Sequence, residues 1–581
     1  MPDRELPVRP NLEQYRKQAK ELARNASAHD PVAIARIQKH HPRHPAPAGA
    51  PGLVTGVPSD RSSSLGWVTG VPSDRSSSPG TLDTRDYPTS GNRISLTDAQ
   101  LVIAREHGYE SWPKFAAHIR TLNLESSVQG LEDPVAAFIR AACVPRNDSH
   151  ISGTPEEAEL ILARYPRVAR ANIYTAAIRA DEAGVREFLS RNPASATAKG
   201  GPYEWDALTH LCFSRYLRLD KSRSDAFVRT ARALLESGAG ANTGWYEMID
   251  HPNPRPLLES AIYGAAGIAH HEGLTRLLLE FGADPNDEET PYHAAEGYDL
   301  AAVKALLESG RLNATSLTTL LLRKADWHDT EGIRLLLAGG GDPNEMTRWG
   351  NNALLHAMTR DNCLENISLL LDHGANPTLR NHLGLSAAEI AAHRGRSDVL
   401  RFLQDRGIDC GLEGVHRLIA ACATADHAKI GELTSEQPQL IPMLIANGGK
   451  LLAEFSGNGN TEGVQCLLDL GVPVDALFRE GDIYWDLARD STALHSAAWR
   501  AWPNTVKLLI AHGAPVNAKD GKGRTPLMLA VKACVDSYWK WRRTPEPVDA
   551  LLKAGATPEG IEIPCGYDEV DELLRAATSD I

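Results

Sequence analysis

Two short stretches carry residue types that could do chemistry. Residues 457–463 read GNGNTEG, and residues 270–272 read HHE. A glycine-rich loop can cradle phosphate with its backbone N–H groups, and paired histidines one helical turn apart can hold a metal beside a glutamate. Neither pattern is complete. The glycine spacing is wrong for a phosphate loop, and His270-His271-Glu272 lacks the second histidine of H-E-x-x-H. Each stretch also runs straight into an apolar helical pattern, VQCLL and LTRLLL, so both read as turns between helices. No Ser-His-Asp or Cys-His set stands out, and the carboxylates are scattered as on a solvated surface. The sequence therefore predicts no catalytic residue, no metal site and no cofactor.

The totals narrow the class. A chain of 581 residues exceeds the roughly 250–300 that one hydrophobic core can serve, so it must be several domains or an extended array. A formal charge of −13 argues against nucleic acid as the main partner, because phosphate neutralisation needs a basic surface. No window approaches the roughly 18 apolar residues of a membrane span. The opening MPDRELPVRPNLEQYRKQAKEL has no apolar core of a secretory leader, so a cytoplasmic protein is expected. Eight cysteines lie scattered with no C-x-x-C pair, the pattern of reduced, mostly buried thiols.

VTGVPSDRSSS occurs twice, at 54–64 and 68–78, inside a Pro/Gly/Ser/Ala-rich stretch. With scarcely any large apolar residue, residues 42–93 are expected to be a disordered linker. A second recurrence is more worn and far longer. Apolar runs closed by glycine read LLESGAGAN, LLLEFGADPN, LLESGRLNA, LLLAGGGDPN, LLLDHGANP, FLQDRGID, LLDLGVPVD, LLIAHGAPVN and LLKAGATPE. Their glycines are 238, 282, 310, 340, 374, 407, 471, 513 and 555, and neighbours in the centre lie 28 to 34 residues apart. The interval from Gly407 to Gly471 fits two units, the middle one degenerate around 414–440.

Ahead of these runs sit TPYHAAEG, NNALLHAM, LSAAEIAA, STALHSAA and RTPLMLAV, each a helix start with a capping residue and small alanines. The glycine is expected in the left-handed conformation that ends a helix, and Asp-Pro-Asn in a turn. Helix, loop, helix, glycine stop and turn at this period resemble the ankyrin repeat. The resemblance covers residues 135–560, about 11–12 units. It implies an all-α solenoid of helix–turn–helix repeats with β-hairpin-like fingers, and a C-terminal capping helix over 561–581. His293, His356 and His495 fall at or beside a position where ankyrin histidines make structural hydrogen bonds. SLTDAQLVIAREHGYESWPKFAAHI, 95–119, resembles a leader found ahead of ankyrin repeats in many bacterial proteins. With the helical segment over 1–41, the segment over 94–125 is expected to form a helical cap on the first repeat.

Such arrays bind protein partners along their exposed faces. Insertions mark where. GWYEMIDHPNPR (244–255) and ALFREGDIYWD (476–486) fall at fingers, while FSRYLRLDKSRSD (213–225) and CVDSYWKWRRTPE (534–546) fall between paired helices. Trp245, Tyr246, Tyr484, Trp485, Tyr538, Trp539, Trp541, Arg542 and Arg543 are the candidate partner-binding residues, since Trp, Tyr and Arg dominate interface hot spots. An aromatic loop can instead fold back, and the balance favours fold-back for the tryptophans and exposure for Arg542 and Arg543. The expected function is a protein–protein interaction scaffold without catalysis. The alternative is a secreted bacterial effector or toxin-like protein that uses the array for target recognition. The partner's identity and the oligomeric state are left open.

Overall fold

The computed structural model describes Arg4, Leu6, Pro7 and residues 10–27, 30–41, 96–144, 149–249 and 254–579. The duplicated VTGVPSDRSSS and the rest of 42–93 lie outside the described residues. The chain divides into two compact units, Met1–Asn123 and Leu124–Ile581.

The first unit holds helices Leu12–Ser27, Pro31–His40 and Leu96–Glu106 and most of Trp112–Ser127. Asp30 caps the second of these through the backbone N–H of Val32, with Pro31 at the first helical position. Gly108, at φ +84, ends the third, as its place after the apolar run predicts. Tyr15, Leu22, Ile37, Val102, Ile103, Phe115 and Ile119 form the unit's core. Arg36 grips the buried Glu106 with two hydrogen bonds, Nε to Oε1 at 2.7 Å and Nη2 to Oε2 at 2.9 Å. That fork ties the second helix to the third.

The second unit is a stack of antiparallel helix pairs, an all-α ankyrin-type solenoid with short strands at its fingers. First helices pack on first helices: Ala314–Asp326, Ala353–Thr359, Ala387–His393 and Gly414–Ala423 run in one such row. Second helices form a parallel row, with Thr330–Ala338, Leu364–Asp372 and Ser397–Asp405 in sequence. The helix starts are capped as their sequences suggest. Asn352 accepts from Leu355 N–H, Ser386 and Glu389 form a reciprocal capping box, and Thr525 accepts from Met528 N–H ahead of Pro526. Thr290 departs from this pattern: the cap there is Asp287, which accepts the Thr290 N–H.

All nine glycines that close the apolar runs have positive φ, between +63 and +98. At Gly238, Gly282, Gly340, Gly374, Gly513 and Gly555 a Cβ would meet nothing within 4 Å, so backbone conformation and not space requires the glycine. Gly395 is under both demands. Its φ is +68, and a Cβ would come within 2.6 Å of the Phe455 ring. That contact exists because the degenerate unit, Gly414–Ala423 with His427–Glu436, lets helix Gly448–Gly457 approach Ala387–His393 directly.

Four of the asparagines that follow the glycine turns do more than turn the chain. Asn344 donates Nδ2–H to the Gly374 carbonyl at 2.9 Å and accepts the Asn376 N–H at 2.7 Å. Asn242 does the same with Gly282 and Asp284, and Asn517 with Gly555 and Thr557. Asn286 clamps Arg311 and Asn313. Each asparagine so fastens its unit to the next one at two backbone groups, worth about 1 kcal/mol per hydrogen bond.

Two insertions carry strands. β1, Gly244–Ile249, pairs antiparallel with β2, Arg255–Ser260, with Trp245 opposite Glu259 and Glu247 opposite Leu257. β3, Leu477–Phe478, pairs with β4, Ser491–Thr492, and closes the base of the loop 479–490. At the far end, helix Asp568–Ser579 packs on Glu546–Lys553 and buries Val570 and Leu574.

Leu370, fully buried in Leu364–Asp372, tests the stack. Leu370→Ala should cost about 2–5 kcal/mol. In a one-dimensional array the loss stays near its origin. Hydrogen exchange should quicken between residues 340 and 410; unchanged protection there would contradict the repeat register.

Candidate interaction surface

The four insertions differ in what they leave exposed. In the hairpin β1–β2, Trp245 is buried, stacked on Trp205 with ring centroids 5.4 Å apart, so it belongs to the core and not to a surface. Its neighbours Tyr246 and Met248 point outward and are exposed. In the segment 213–225, Phe213, Tyr216 and Leu217 are buried and Arg215 donates to the carbonyls of Ala141 and Ser152. That insertion is internal packing.

The loop 479–490 crosses several repeats. Tyr484 donates its hydroxyl to the Asp326 carbonyl at 2.7 Å, 158 residues away in sequence. The Arg360 guanidinium lies 3.9 Å over the Tyr484 ring, and that of Arg500 lies 4.0 Å over Trp485. Both candidate aromatics are therefore engaged by the array, and the loop's exposed large apolar residue is Ile483. Beneath the loop lies a buried charge cluster. Asp361, in a left-handed turn between helices at φ +54, accepts from Arg394 at 2.5 and 2.7 Å, from Arg500 at 2.8 Å and from Asn458 at 3.1 Å. Burial works against its charge, but Arg394 and Arg500 outweigh that and hold the carboxyl well below the usual range. Glu454, 3.1 Å from Arg394, completes the cluster. A second cluster centres on Asp326, which takes His356 Nε2 at 2.7 Å, Arg360 Nε at 2.8 Å and Arg323. His356 thus has the structural bond its position implies. So does His495, whose Nδ1 accepts the Thr492 N–H while Nε2 donates to the Arg524 carbonyl.

In the insertion 534–546 the residues alternate between the two fates. Trp539 is 4% exposed, edge-on to Trp499 at 5.3 Å and tilted against Trp485 at 5.8 Å. Tyr538 and Trp541 are 87% and 82% exposed. Arg542 and Arg543, expected from the sequence to be exposed, are instead engaged by the fold. Arg542 lies 4.5 Å over Trp502, and its burial, with Arg500 nearby, pulls its pKa down to about 10. Arg543 donates to the Ser537 carbonyl at 2.7 Å and to its hydroxyl at 3.2 Å. GNGNTEG and HHE are turns: Asn460 caps Gly463 N–H, and His271 Nδ1 accepts the Leu274 N–H.

A family model described as ankyrin repeats (3 copies) matches residues 321–413 and 451–556. The gap between the two matches is the degenerate unit. This is an ankyrin repeat-containing chain. The mouse B-cell lymphoma 3 protein homolog is 31% identical over 156 residues, 25% of this chain and 35% of the relative. A putative ankyrin repeat-containing protein of Treponema pallidum is 38% identical over 96 residues, 16% of this chain and 32% of the relative. The NF-kappa-B inhibitor cactus of Drosophila melanogaster is 23% identical over 167 residues, 29% of this chain and 25% of the relative. The matched segments thus span about a third or less of these relatives.

Other exposed apolar residues lie on the fingers of the ankyrin array and escaped the sequence reading: Met346, Trp349 and Leu383. The signal was present, because TRWG precedes the helix start NNALLHAM where a finger must be. Arg348 covers Trp349 at 4.8 Å and also pairs with Glu288, so that finger is tied to its neighbour.

The Asp361 cluster gives the sharpest mutational test. Asp361→Asn keeps a residue that tolerates positive φ but removes the charge that Arg394 and Arg500 share, leaving Arg394 with Glu454 and Asp482. The loss should be about 3–5 kcal/mol in denaturant unfolding, with faster exchange across 479–490. Tyr484→Phe should cost only about 0.5–1.5 kcal/mol. Equal, small effects of both would mean that the cluster is solvated.

Proposed function

We propose that the chain is a protein–protein interaction scaffold of the bacterial cytoplasm, with no catalysis of its own. The observation that carries this is the pair Tyr538 and Trp541, left in water by a loop that is otherwise anchored through Trp539, Arg542 and Arg543. Anchoring removes most of the ordering cost that a floppy loop would add on binding, and a rigid exposed Trp–Tyr pair is the composition of an interface hot spot. Because Arg542 and Arg543 are engaged internally, the partner should present an apolar patch and not the acidic face that the basic run suggests.

The relatives support the scaffold reading through the name of cactus, an inhibitor of NF-kappa-B, and the likeness to the Treponema protein supports a bacterial setting. All eight cysteines are free thiols, five of them buried, which suits a reducing compartment.

The double variant Tyr538→Ala, Trp541→Ala should keep its stability within about 0.5 kcal/mol, as exposed substitutions do. It should lose the partner that the unaltered chain retains from a lysate of the native host. Trp539→Ala should instead destabilise the protein by about 3–5 kcal/mol. A double variant that retains the same partner as strongly as the parent would refute this site.

A further inference from the structure

The hairpin β1–β2 brings two carboxylates together with a histidine from outside the hairpin. Its inward face carries Trp245, Glu247, Leu257 and Glu259, while Tyr246 and Met248 face out. An inward hairpin face should be apolar, yet two carboxylates sit there as diagonal neighbours across the strands. His150 reaches them from the loop before helix Glu156–Arg164. Its Nε2 is 3.5 Å from Glu247 Oε2 and its Nδ1 is 3.9 Å from Glu259 Oε2. One potential ligand atom from each of the three residues lies within 4.8 Å of the other two.

Glu259 is the telling residue. It is 2% exposed, and its Oε2, turned toward His150, makes no hydrogen bond. A buried carboxylate oxygen without a hydrogen bond is costly. Burial, with Glu289 and Glu247 close by, pushes its pKa up to about 8. Among the described residues, the charges around Glu259 are engaged with one another or with hydroxyls. His293 lies between Glu289 at 3.0 Å and Glu296 at 3.3 Å and is taken up by them, and Asp287 accepts from Ser260 and Thr290.

We propose that His150, Glu247 and Glu259 bind a divalent transition-metal cation of the zinc class. One imidazole nitrogen and two carboxylate oxygens form a ligand set that suits zinc and its neighbours better than calcium or magnesium, which take oxygen alone. Tetrahedral ligands about 2.0–2.2 Å from an ion sit roughly 3.3–3.6 Å apart, so small side-chain rotations complete the site. Tyr263 provides the outer partner. Its hydroxyl oxygen is 2.7 Å from His150 Nδ1, and accepting that N–H would leave the Nε2 lone pair for the metal. Binding displaces the Glu259 proton, leaves a coordination position to water, and staples the 149–152 loop to the hairpin.

The test uses the full chain, stripped with chelator and titrated with Co2+ alone. One equivalent should bind with visible absorption and without the near-ultraviolet sulfur-to-metal bands that a cysteine site would give, and Zn2+ should displace it. Affinity should rise with pH, because protons compete with the metal for the ligand atoms. Glu259→Gln should fold at least as stably without metal, since it removes an unpaired buried carboxyl, and should bind at least a hundredfold more weakly. His150→Gln should weaken binding likewise, and serves if the first variant is unstable. No binding below millimolar Co2+, thiolate bands, or unchanged affinity in a folded variant would each overturn the proposal.

Discussion

The apolar faces of successive helix pairs cover one another, and everything else in the array follows from that dependence. Leu336, Leu370 and Leu403 are all fully or nearly buried although each helix pair is too thin to enclose them. Coverage holds only while each unit returns the chain to the same register. The left-handed glycine after each second helix performs one reversal, and a left-handed residue between the helices (His328, Asp361, Gly395, Ala425, Gly459) performs the other. The asparagine clamps then fix the distance between neighbours. An alanine at the glycine positions would find space but not a conformation it tolerates.

On this frame the insertions act as straps. Loop 479–490 lies across the ends of the first helices and rests on Arg360 and Arg500, whose positive charges are balanced by Asp326 and Asp361. Trp485 then meets Trp539, so the loop and the insertion 534–546 share one small apolar cluster with Trp499 and Leu529. This shared packing explains why Trp541 can be exposed while Trp539, two residues away, is not. The short turn Lys540–Arg542 is pinned on both sides.

Local signals made the frame legible from sequence. Glycine after an apolar run and a capping residue at a helix start each act within a few residues, and the structure places them as expected except at Thr290. The cost of an error was small where a neighbour could substitute, as Asp287 does for Thr290. Long-range contacts carry no such signal. Nothing in ALFREGDIYWD indicates that Tyr484 will bond to Asp326, and nothing in YWKWRR tells Arg542 to stack on Trp502. The duplicated VTGVPSDRSSS, the most conspicuous repeat in the chain, lies outside the described residues. For the hairpin, the alternation in WYEMI is visible, but Glu247 and Glu259 meet only once the register is known.

The proposed docking pair depends on a division between anchored and exposed aromatics, and hydroxyl-radical footprinting of the full chain reads that division directly. Mass spectrometry should find Tyr538, Trp541 and Tyr246 heavily oxidised, with Trp539 and Trp245 protected. Oxidation of Trp539 as rapid as that of Trp541 would show the 534–546 insertion to be loose, and the docking pair with it.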